Sequence, residues 1–127
     1  MIEKSKFSWR KRGKAFSYAW QGLKALLIYE HNARLHLVAA VCIIVAGFLL
    51  NVSAIEWCVL VLTICGVFVA EALNTAVEVL ADKITLEKDP LIGRAKDLGA
   101  TAVTISAFSA VIIGFIIFLP KLINLFN

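Results

Sequence analysis

Residues 98–119 read LGATAVTISAFSAVIIGFIIFL, twenty-two positions without a charged side chain. As a helix rising about 1.5 Å per residue, such a run is about 33 Å long, enough to cross a hydrocarbon core of about 30 Å. Pro120 follows at once and marks its expected end. Two more apolar runs lie upstream. Positions 35–50 carry His36 as their single basic or acidic group and cover about 24 Å; they reach spanning length when extended over 32–52, because Asn32 can sit at headgroup level. The other, 55–81, is free of charge from Trp57 to Ala70 and keeps a helical pattern through Glu71, Asn74 and Glu78. Positions 82–97 then read as a loop.

Composition agrees with lipid as the main solvent. Of 127 residues 61% are hydrophobic, against about 45–50% in soluble domains. The charged 17% gather at the N-terminus and between Asp82 and Asp97 instead of interspersing with the apolar runs. Cys42, Cys58 and Cys65 fall in or beside those runs without the spacing of a disulfide framework or zinc site, and read as small buried hydrophobes. The expected fold is an all-α integral membrane protein, one domain over 1–127.

Positive side chains set an expected orientation, since short loops rich in Lys and Arg stay cytoplasmic. Eight of the thirteen lie in the first 34 residues, none between the first two spans, four within 82–97, and Lys121 after the third. The N-terminus and the 82–97 loop are therefore expected inside, and the 51–56 loop and C-terminus outside. The same bias draws the chain to anionic headgroups, which leaves no need for a nucleic-acid partner. Over about 7–30, Phe16, Ala19, Trp20, Leu23, Leu26 and Leu27 share one helical face opposite Lys14, Gln21 and Lys24. That pattern predicts an N-terminal amphipathic surface helix anchored by Trp9, Tyr18 and Trp20. No signal-peptide cleavage pattern precedes it.

Glu71, Asn74, Glu78 and Asp82 stand at relative positions 0, 3, 7 and 11, within roughly 80° of arc on one helix face. An acid at a helix centre costs on the order of 2.5–3.5 kcal/mol, so such a stripe calls for a cation or metal. Interhelical hydrogen bonding is more often one Asn, Gln or Ser than a line of carboxylates. At the same depth lie Glu30 with Arg34, and Arg94, Lys96 and Asp97. Hard oxygen ligands beside a lysine are what magnesium and nucleotide phosphates require. No phosphate-binding G-x-x-x-x-G-K-[ST] loop and no H-R-D or D-F-G set occurs. A small transporter or proton-conducting bundle also uses intramembrane carboxylates. It would place ionisable groups through the whole depth, and here the outer half has none.

The run E-A-L-N-T-A-V-E from Glu71 to Glu78, then Asp82, then G-R-A-K-D from Gly93 to Asp97, closely resembles the prokaryotic diacylglycerol kinase family. The likeness extends upstream through Glu30-x-x-x-Arg34 and Ala19-Trp20-x-Gly22-Leu23. It implies a lipid kinase of the bacterial inner (cytoplasmic) membrane, built from a surface helix and three spans. It also implies a homotrimer with sites between subunits, and the use of magnesium and ATP. Carried over by matching position, Glu30 and Glu78 would hold Mg2+, and Glu71 would be the base toward the lipid hydroxyl. Asn74, Lys96 and Asp97 would join Glu30 and Glu78 at the nucleotide, with Asp82 in support, and Arg34 would contact the lipid. Two branches mix here: E-H-N-A-R-L-H resembles the undecaprenol branch and G-R-A-K-D-L-G the diacylglycerol branch.

Overall fold

The computed structural model describes residues 6–127. The basic N-terminal stretch read from the sequence begins at Lys4, which lies outside them. Among the described residues the chain is four helices without strands: α1 Trp9–Tyr29, α2 His31–Leu49, α3 Ala54–Ile84 and α4 Pro90–Leu125. The last three are long and apolar enough to cross a membrane.

Local chemistry sets the breaks. Ser8 opens α1, its hydroxyl accepting from the Lys11 N–H at 3.4 Å. Glu30 closes it in an extended conformation, φ −102° and ψ 112°, and α2 starts at the next residue. The Glu30 N–H donates to the Leu26 carbonyl at 3.0 Å, while its own carbonyl accepts from the Arg34 N–H at 3.4 Å. One residue thus joins the two helices, and its side chain caps neither. Asn51, at φ 53°, makes the left-handed turn after α2, a conformation Asn tolerates better than most residues. Ser53 and Glu56 then cap α3 reciprocally: the Ser53 hydroxyl accepts from the Glu56 N–H at 3.1 Å, and the Glu56 carboxylate accepts from the Ser53 N–H at 2.9 Å. At α4 the Asp89 carboxylate accepts from the N–H groups of Leu91 and Ile92, and Pro90 occupies the first turn.

Helices α3 and α4 differ from the sequence expectation in length. With 31 and 36 residues they extend to about 46 and 54 Å, well beyond a core of about 30 Å. Most of the expected 82–97 loop is helical, and the connection is 85–89 alone. Charge marks where hydrocarbon is expected to end, which is not where the helices end. Pro120 stops nothing, since α4 runs through it to Leu125. Its neighbour Lys121 reaches the Glu56 carboxylate at 3.1 Å and ties these last turns to the start of α3.

Packing is dominated by α3 along α4, with α2 against α3 and α1 touching both α2 and α3. Where α2 ends, α3 begins and α4 finishes, Val52, Leu60, Ile117 and Phe118 form a buried cluster braced by Trp57, Ile43 and Ile113. Much of the remaining apolar surface is bare, including Phe108, Ile112 and Phe115 on α4. The three cysteines are free and exposed on this surface, not buried as their composition suggested. They face whatever surrounds the bundle.

Candidate active site

The polar stripe lies along α3, and its members meet different surroundings. Glu71 is 2% exposed, the one charged side chain buried among the described residues. From α2, His36 brings Nε2 to 3.0 Å from Glu71 Oε1. The approach is within ion-pair range but off the hydrogen-bond direction, so that oxygen has no hydrogen-bond partner among the described residues. Asn74 Oδ1 and Thr75 Oγ1 are likewise buried without one. Three unpartnered polar atoms within about one turn form an unfinished constellation, since leaving a buried group unpaired costs about 1–3 kcal/mol.

Toward the end of α3, Asn74 Nδ2 donates to Glu78 Oε1 at 3.5 Å, a long contact that leaves Glu78 most of its acceptor capacity. Asn74 also lies against Gly99 of α4, where a Cβ would stand 2.5 Å from Oδ1. One turn beyond Glu78, Asp82 accepts from Lys96 Nζ at 2.6 Å, joining α3 to α4. Arg34 and Asp97 are exposed and form no ion pair or side-chain hydrogen bond among the described residues. Glu30 is half-buried on a groove of about 590 Å3 between α1 and α3, whose α3 wall includes Thr75, Ala76 and Val79 on the turns flanking Glu78.

The fold thus pairs Asn74 with Glu78 and Asp82 with Lys96, and sets Glu30 on the α1–α3 groove, whose lining does not include Glu78. No group of three metal-ligating side chains forms among the described residues. The donor set still fits magnesium, which keeps several waters and binds through one or two carboxylates plus substrate phosphates instead of a protein cage. A second groove of about 540 Å3 runs between α2 and α4 from His36 to Leu122, and His36 is its only polar lining residue. His36 and Thr75 were not among the assigned site residues. A signal for His36 existed: an ionisable group inside one span pairs with one inside another, and His36 is the only such group in the first run while the third has none.

Residues 17–118 match the family described as prokaryotic diacylglycerol kinase. The chain belongs to that family. It is 43% identical over 109 residues to an undecaprenol kinase of Bacillus subtilis (strain 168), covering 86% of this chain and 89% of that one. It is also 40% identical over 99 residues to a diacylglycerol kinase of Escherichia coli (strain K12), covering 78% and 81%. A diacylglycerol kinase of Synechocystis is 39% identical over 112 residues, 87% of this chain and 64% of its own length. This family member is a membrane lipid kinase with transmembrane helices, a phosphotransferase whose donor is ATP. The transporter alternative has no support.

Proposed function

We propose that the enzyme transfers the γ-phosphoryl group of magnesium-bound ATP to the hydroxyl of a membrane lipid at the cytoplasmic face of the bacterial inner membrane, with Glu71 as general base. The observation that carries the reading is Glu71 itself: a carboxylate 2% exposed, with His36 3.0 Å from Oε1 at the head of an apolar groove. A primary alcohol is a poor nucleophile, and a carboxylate within hydrogen-bond reach takes its proton as the oxygen attacks. The hydroxyl would donate to the carboxylate oxygen that His36 does not approach.

Glu30 and Glu78 would hold Mg2+, which when bound neutralises charge on the transferring phosphate. Glu30 suits the role because its carboxylate caps no helix although it stands at the start of α2. Asn74 orients Glu78, Asp82 holds Lys96 for the nucleotide, and Asp97 and Arg34 keep their charges free for nucleotide and lipid. The positive residues along α1, at the start of α2 and around the 85–89 connection favour the cytoplasm for this end, so ATP would reach it from water and the lipid from the side. The bare apolar surface supports assembly with further copies, and the family resemblance favours three.

For the acceptor, the α2–α4 groove offers carbon walls and one polar group, His36. A single-chain alcohol needs nothing more, whereas a diacyl lipid brings two ester carbonyls that find no donor there. This favours undecaprenol over diacylglycerol. The test is turnover against magnesium concentration with each lipid in parallel. Glu71→Gln should lower kcat by about 10²-fold or more with magnesium dependence unchanged, whereas Glu30→Gln and Glu78→Gln should weaken magnesium dependence as well. Recovery of Glu71→Gln by excess magnesium makes it a ligand and defeats the base assignment.

A further inference from the structure

Glu71 sits well inside α3, thirteen residues before the helix ends at Ile84, and its carboxylate is closed off from solvent. Among the described residues one basic group reaches it, His36, across from α2 at 3.0 Å. Lys96 is engaged by Asp82 nearer the end of α3, and Lys121 by Glu56 at the opposite end of the bundle. From α4, the groove wall facing His36 is Ala107, Ala110, Val111, Gly114 and Phe115, with no titratable side chain. His36 keeps 26% of its side chain exposed and lines that groove. It touches the buried carboxylate on one side and the apolar path on the other.

We infer that His36 is a positioning residue for phosphoryl transfer, engaging Glu71 at Oε1 so that the second carboxylate oxygen is turned toward the lipid hydroxyl. The inference rests on the reading of Glu71 as the base. A carboxylate rotates freely about its last torsion, and the neighbouring polar groups, Asn74 and Thr75, ride on the same helix and make no bond to it. A contact from α2 fixes that rotation against a second element. It ties the base to the helix that, with α4, walls the lipid groove, so base and acceptor share one frame. The approach is off-axis, as catalytic contacts often are before substrate aligns them.

The test uses the full-length enzyme in lipid-containing micelles, with His36→Leu, His36→Gln, Glu71→Gln and the double variant His36→Leu/Glu71→Gln. Loss of positioning should lower the kcat of His36→Leu by about 10²-fold, the scale of a 1 Å misplacement, with KM for ATP and magnesium dependence unchanged. His36→Gln, whose amide nitrogen reaches similarly, should regain most of that loss. The double variant should be no slower than Glu71→Gln alone, because His36 acts through Glu71. If the leucine variant does not assemble, His36→Asn, which is polar but shorter, takes its place. Near wild-type kcat in His36→Leu, or losses that multiply in the double variant, overturns the inference while leaving the base in place. Full activity in Glu71→Gln overturns the base reading and the inference together.

Discussion

Gly99 shows how a missing side chain does chemical work. A Cβ there would stand 2.5 Å from Asn74 Oδ1, so the Asn74 amide holds its orientation, with Nδ2 toward Glu78, only while position 99 is bare. Gly99→Ala should therefore cost little stability, because the atom it meets is the tip of a short side chain, and should still reduce turnover clearly. Gly47 makes the opposite case: a Cβ there would lie 2.5 Å from the Trp57 ring, inside the cluster at the far end of the bundle. Gly47→Ala should lower stability by about 1–3 kcal/mol, as overpacking does, and leave kcat per folded enzyme unchanged. Thermal unfolding in detergent and lipid-dependent turnover, measured side by side, separate the two. At this scale the sequence carried the stripe from Glu71 to Asp82 because helical spacing alone put it on one face. It did not carry the contact between Gly99 and Asn74, which depends on how closely two helices approach.

Among the elements, the three apolar runs were legible because lipid permits little but continuous helix, whereas the caps at Ser53 and Asp89 lie in the 51–56 and 82–97 stretches read as loops. The ends of α3 and α4 were not. Charged residues at 82–97 say where hydrocarbon stops, yet a helix continues into water wherever its caps and propensities allow. The orientation proposed for these helices makes a direct prediction. Single cysteines at positions 53 and 94, in a background without Cys42, Cys58 and Cys65, should react with an impermeant thiol reagent from outside and only after permeabilisation, respectively. Labelling of position 94 in intact cells would move the site away from cytoplasmic ATP.

Among the described residues the molecule buries few side chains and leaves a wide apolar exterior, with one buried apolar cluster where α2 gives way to α3. Mass measurement of the detergent-solubilised enzyme should give three chains per particle, and a single chain with full activity would sink the proposed assembly. The join between α1 and α2 has a consequence of its own. Because Glu30 alone separates a helix suited to the membrane surface from one suited to cross it, any change in the tilt of either passes through that residue's two backbone torsions and swings its carboxylate. With α1 on the headgroup layer and Glu30 in the proposed metal site, the surface helix would be a lever arm: the state of that layer would reach one corner of the site without an intervening loop to absorb it.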